Sequence, residues 1–224
     1  MKPRRLCNIL ICLLCCFSVT AWADNDSIAN TSAPKMAIYQ GTMLKLDIAS
    51  PVIVSAVHQW KIQHYEAAVN VRLKDRFYPT FELGYSGGSA TKGDSISYNG
   101  QGGFFRVGLD INPLRKRPES PHALLIGLRL GTAVQGARQG LESDSWHPYS
   151  VQADCWGEVV AGCQVEIAKV NQTAFYMGWQ GRFKFLFTRK DGITANEMRA
   201  IYIPGFGGRS DTGWGVSYHL GWRF

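Results

Sequence analysis

An all-β transmembrane barrel of eight antiparallel, up-and-down strands, of the outer-membrane type, is the fold this sequence predicts. Three observations predict it. Apolar and polar side chains alternate strictly in eight segments, the links between those segments are alternately short and long, and no stretch after residue 23 holds 18 consecutive apolar residues. The first is the period of a strand with two unlike faces. The second is the asymmetry of an outer-membrane barrel, with short turns at one end and long loops at the other. The third removes a transmembrane helix.

The chain opens on an export signal. Lys2, Arg4 and Arg5 precede an apolar stretch from Ile9 to Val19, and Ala21-Trp22-Ala23 sets small residues where a signal peptidase reads them. Residues 1–23 are therefore expected to be a signal peptide, cut between Ala23 and Asp24. The apolar stretch is too short to span about 30 Å as a helix, which argues against a retained anchor. Residues 24–38 read as a flexible polar leader, and residues 39–224 as the barrel. Without the signal the net charge falls from +7 to +4, with no basic run longer than Arg115-Lys116-Arg117. Nucleic acid is not an expected partner.

The strands follow in order. Leu44, Leu46 and Ile48 face away from Lys45 and Asp47, and Tyr65 to Leu73 alternate with Glu66, Ala68, Asn70, Arg72 and Lys74. Phe81, Leu83 and Tyr85 oppose Thr80, Glu82 and Gly84, and Phe105 to Ile111 oppose Arg106, Gly108, Asp110 and Asn112. Leu124 to Leu130 oppose Gly127, Arg129 and Gly131, and Val159 to Ile167 oppose Glu158, Gly162, Gln164 and Glu166. The seventh strand carries the longest apolar edge, Phe175 to Phe187, against Gly178, Gln180, Arg182 and Lys184. The last sets Trp214, Val216, Tyr218, Leu220, Trp222 and Phe224 against Gly215, Ser217, His219, Gly221 and Arg223. Short links fall at Asp75–Phe77, Pro113–Pro121 and Val170–Gln172; long ones at 51–63, 86–101, 133–154 and 188–211.

Which face points outward is a question of space. A soluble, lipocalin-like periplasmic binding barrel would put the apolar face inside, but the interior of eight strands is only just wide enough for side chains. It could not hold so many Phe, Trp and Leu residues. The polar face, dotted with glycines, suits a crowded lumen, and its charges nearly balance. Glu66, Arg72, Glu82, Arg106, Asp110, Arg129, Glu158, Glu166, Arg182, Lys184 and Arg223 are the expected lumen network, with Lys45, Asp47 and Lys74 beside them. Buried charges must be paired to be tolerated, whereas a basic residue facing lipid at mid-depth costs about 2–4 kcal/mol. A plugged lumen follows, since wide channels need about 16 strands.

Of the six cysteines only Cys155 and Cys163 lie beyond the signal. Eight residues along one strand span about 26 Å, far more than the ~7 Å a disulfide bridges, so the two are not expected to pair. Beyond residue 23 no CxxC or HxxxH spacing is present, so neither a metal nor another cofactor is expected.

The closing residues Tyr218, Leu220, Trp222 and Phe224 resemble the C-terminal strand of bacterial outer-membrane proteins, whose terminal aromatic is read by the barrel insertion machinery. Four further stretches, 77–84, 104–112, 155–160 and 203–207, resemble an uncharacterised family of small outer-membrane proteins of Gram-negative bacteria. The resemblance implies fold and location and transfers no catalytic residue. Outer-membrane lipid and the insertion machinery are the implied partners, with a protein partner for the loops left open.

Chemistry has weak candidates only. Ser217 and His219 share the lumen face, and an enzyme acting on lipid A or phospholipid is the alternative they raise. An activated serine needs its histidine within about 3 Å, and two residues along a strand separate the Cβ atoms by about 6.5–7 Å. The expected role is a non-enzymatic structural or interaction scaffold with four long loops, where Trp146-His147-Pro148-Tyr149 and Ile201–Gly208 carry apolar side chains. The glycine- and proline-rich segment 203–208 reads as a self-packed cap over the barrel mouth.

Overall fold

The computed structural model describes residues 38–57, 62–74, 76–92, 96–113, 122–141, 145–146, 150–171, 173–188, 202–208 and 210–224. The expected signal peptide, its Ala23–Asp24 junction and the leader lie outside these residues, apart from Ile38. So do Trp146's neighbours His147, Pro148 and Tyr149, and Ile201.

Alternating sequence becomes alternating exposure. The strands are β1 (Tyr39–Asp47), β2 (Ile62–Leu73), β3 (Phe77–Lys92), β4 (Ile96–Ile111), β5 (Ala123–Leu141), β6 (Ser145–Trp146), β7 (Ser150–Val170), β8 (Thr173–Leu186) and β9 (Thr212–Arg223). One short helix, α1 (Ser50–Val57), follows β1. Neighbours pair in the order β4-β3-β2-β1-β9-β8-β7-β5, and β4 pairs with β5 to close the ring; the two-residue β6 only extends the end of β5. Every described pairing is antiparallel. The fold is therefore an all-β, closed, eight-stranded up-and-down barrel, as the alternation predicts. Terminal strands seal it through Leu44↔Trp222 and Leu46↔Leu220, and Phe224 exchanges both backbone bonds with Thr42 at 3.0 and 3.1 Å.

The faces are set as the space argument requires. Leu128 is 67% exposed and Trp214 80% on the outer surface, while Glu82, Asp110 and Arg129 are shut inside. An apolar-lined ligand cavity of the lipocalin kind is not what the strands enclose. Small residues make the room: a Cβ on Gly131 would strike the Trp156 indole, and one on Gly127 would strike the Asp110 carboxylate.

The two ends differ, though less than the sequence suggests. At one end β2 and β3 are joined by a three-residue turn with Lys74 at φ +47°, and β7 and β8 by a two-residue turn with Asn171 at φ +55°. Asparagine tolerates that left-handed conformation better than most residues. Lys74 therefore lies exposed in a turn and not in the lumen.

At the other end, two of the four expected loops are largely strand. β3 and β4 stay in register out to Lys92↔Ile96, and β5 and β7 out to Ala137↔Ser150. In sequence these segments are dominated by polar residues, alanine and glycine, with only isolated apolar positions such as Val134 and Val151, so little hydrophobic contrast marks them. The backbone ladder continues regardless. The expected loop 51–63 holds α1, and β2 begins inside it at Ile62. A register shift between Glu166 and Ala168 ends the alternation of β7.

Candidate functional site

The described residues buried inside the barrel form three storeys. At the short-turn end Tyr78, Ala123 and Leu125 form one buried apolar group, and Met43, Ala174 and Tyr176 another. At their rim Tyr176 donates a 2.7 Å bond to Glu166, and Arg223 lies 3.5 Å from the same carboxylate and over the Tyr176 ring at 5.1 Å. Arg72 is half-buried beside them. These three charged residues thus sit apart from the main network.

The middle storey is ionic. Arg106 reaches Glu66 at 2.7 Å, Glu82 at 2.8 Å and, through Nε, Glu158 at 3.0 Å. Arg129 grips Asp110 with both terminal nitrogens, at 2.5 and 2.9 Å, and Glu82 through Nε at 2.8 Å. Arg182 reaches Glu66 at 2.6 Å and Glu82 at 3.0 Å. Among the described residues the buried acids are Glu66, Glu82, Asp110, Asp154 and Glu158, and the buried bases Lys45, Arg106, Arg129, Arg182 and Lys184. Five face five, so the interior is formally neutral. Bidentate, charge-assisted bonds of this kind are what make desolvated charges tolerable.

The third storey lies toward the long-loop end and is apolar again. Phe104, Ala133 and Trp156 from the wall enclose Ile203 and Phe206 from the segment between β8 and β9. A tight turn shapes that segment: Ile203 and Gly207 form a bridge, with Gly205 at φ +75°. Lys184 and Arg106 anchor it from below, donating to the Gly205 carbonyl at 2.7 and 2.8 Å, and Lys184 also donates to Phe206 at 3.1 Å. Lys184 therefore serves the cap and makes no carboxylate pair within 4.0 Å among the described residues.

Ser217 and His219, the weak catalytic candidates, do not come together. Ser217 accepts a long bond from Arg182 at 3.4 Å, and the His219 ring lies over Gly178. Among the described residues no hydrogen bond joins the two. Both line a small void in mid-barrel with Lys45, Asp47 and Glu82, of about 10 Å³, roughly the space of one water.

A different serine meets a histidine. Ser86 on β3 stands directly across from His64 on β2, with Oγ 2.6 Å from Nδ1, and His64 Nε2 is 3.6 Å from Glu66. Tyr202 closes over them with its hydroxyl 3.4 Å from both. Burial pushes the Tyr202 phenol above its ordinary value, with the bond to Ser86 working against that rise. Extending the alternation one step up each of the two strands would have found this pair: His64 borders the expected loop 51–63, and Ser86 is the first residue of the expected loop 86–101.

A family model described as a domain of unknown function (DUF6048) matches residues 4–143 and 139–223. The chain belongs to this family. As a DUF6048 protein it carries a family description that assigns no activity. Among solved structures it is similar to Neisserial surface protein A, NspA, at 11% identity over 83% of this chain and 94% of that one, with a TM-score of 0.31. A likeness this remote carries no weight for the DUF6048 site. No curated protein matches the chain.

Proposed function

We propose that this DUF6048 protein is an outer-membrane barrel of Gram-negative bacteria that acts as a structural or interaction scaffold and not as a pore or an enzyme. The observation that carries the reading is the inversion of the barrel. An apolar belt rich in Phe, Trp and Leu covers the outside, and a formally neutral ion network packs the inside. Such a surface in water would be an aggregation hazard; in a bilayer it is the required lipid-facing band. The small mid-barrel void of about 10 Å³ and the close-packed charges around it support a barrel closed to solutes. Export by the signal peptide and assembly through the closing strand, with Phe224 at its end, complete the reading, and a protein partner would dock at the long-loop end.

Cell fractionation tests this directly. The protein should sediment with the outer membrane, begin at Asp24, and migrate differently on gels with and without heating. Recovery in soluble periplasmic extract would overturn the reading. In planar bilayers the purified barrel should show no sustained conductance.

One observation favours a second reading, a lipid-ester hydrolase with Ser86 as nucleophile, His64 as base and Glu66 orienting it. Against it, Ser86 is 1% exposed, Tyr202 covers it, and Glu66 is shared with two arginines. Labelling of the folded protein by a fluorophosphonate probe, abolished in Ser86→Ala, would establish it; absence of labelling is expected.

A further inference from the structure

Helix α1 has its amphipathicity inside out. Ser50 and Ser55 are 8% and 6% exposed, turned toward the barrel, while Val52 and Ile53 are 55% and 46% exposed. A helix on a water-facing surface does the opposite. The arrangement is held firmly. Asp47, at the end of β1, accepts bonds from the Ala49 and Ser50 backbone nitrogens at 3.0 Å each and from the Ser50 hydroxyl. Ser55 donates to the Ile62 carbonyl at 3.0 Å.

The place of the helix explains the inversion. β1 is the shortest wall strand. Its pairing with β2 stops at Leu46↔Ala67, and with β9 at Asp47↔His219, one further backbone bond joining Ile48 to Tyr218 at 2.9 Å. Its neighbours run on: β2 begins five residues earlier, at Ile62, and β9 at Thr212. On that side, residues 62–66 and 212–217 have no strand partner among the described residues. The wall therefore has a notch, and α1 packs against β2 and β9 across it. An open sheet edge is not tolerated in hydrocarbon, where no water satisfies the backbone. The Ser55 bond to Ile62 supplies one of the missing partners.

We propose that α1 closes this lateral notch and that its Val52–Ile53 face contacts the acyl chains of the leaflet at the long-loop end. The inference rests on the membrane reading above. Its occupant is argued from continuity: the helix face prolongs the outward belt through Leu46 and Ile48 on one side and Val216 on the other. The nearby Trp214 and Tyr65 have the amphipathic rings that settle at a membrane boundary.

The test uses single cysteines at positions 52, 53 and 128 in the mature chain beginning at Asp24, with Cys155→Ser and Cys163→Ala, each carrying an environment-sensitive fluorophore. Variants are refolded into phosphatidylcholine vesicles, and heat-modifiable migration confirms folding. Nitroxide-bearing lipids should quench positions 52 and 53 to within about two-fold of position 128, and aqueous iodide should not. Iodide quenching at 52 and 53, with lipid quenching at 128, would overturn the proposal and leave the membrane reading intact. Quenching of 52 and 53 by neither agent would mean that protein covers the helix, and would also overturn it. Failure of lipid quenching at 128 would sink the membrane reading itself. Should the labelled variants not fold, Val52→Gln with Ile53→Gln in the otherwise native chain gives a second arm. It should lower the folded fraction in vesicles at least several-fold, and an unchanged fraction refutes the proposal.

Discussion

Glu82→Gln is the sharpest probe of the ionic storey. The Glu82 carboxylate stands 2.8 Å from Arg106, 2.8 Å from Arg129 and 3.0 Å from Arg182, with 1% of the residue exposed. Glutamine keeps the shape and one acceptor but removes the charge, leaving five buried bases against four acids. Removing one partner of a buried ion pair costs about 3–5 kcal/mol. The lower end applies here, because every arginine keeps another carboxylate: Asp110 for Arg129, Glu66 and Glu158 for Arg106, Glu66 for Arg182. A loss of about 3 kcal/mol, at slopes of about 1–3 kcal/mol per molar urea, lowers the unfolding midpoint by about 1–3 M. Tryptophan fluorescence during urea unfolding of the vesicle-refolded barrel reads the shift. Adding Arg129→Met removes a base to match, so the double variant should be more stable than the sum of the single losses by about 1–3 kcal/mol. A Glu82→Gln midpoint within error of wild type, with no coupling to Arg129, would mean that water solvates these charges and the lumen is not a packed interior.

Three other substitutions test the remaining storeys and the wall. Gly131→Ala drives a methyl group into the Trp156 indole, and overpacking of this kind should cost about 1–3 kcal/mol in the same unfolding assay. Phe206→Ala empties the centre of the apolar cap among Phe104, Trp156 and Ile203; about 3–5 kcal/mol is expected, read as a lower temperature for the heat-modifiable gel shift. Leu128→Arg places a charge on the outer belt. It should cost about 2–4 kcal/mol in vesicles if that face meets lipid, whereas an effect within about 0.5 kcal/mol would argue for water outside.

Much of this architecture was legible because a barrel strand has a period of two and each residue has only two faces to choose from. Arg106, Arg129 and Arg182 are assigned to the lumen by parity alone, and Leu128 and Phe183 to the outside by the same count. Parity fails where contrast fails. The upper parts of β3, β4, β5 and β7 are mostly polar or small in sequence, with too few apolar residues to set up an alternation, and read as loops. Lys74 is taken for a lumen residue because alternation does not announce its own end; the turn with positive φ does.

What the sequence determines by itself is the strand count, the facing of each strand and the near-neutrality of the buried charges, since all three are properties local to one strand or sums over the chain. Only the tertiary structure decides who meets whom. Which carboxylate serves which arginine, whether Ser86 or Ser217 lies beside a histidine, and that Ile203 and Phe206 drop into the barrel mouth all depend on register between strands far apart in sequence. So does the notch beside β1. It exists because one strand is shorter than its neighbours, a difference of lengths across the ring that no single segment contains.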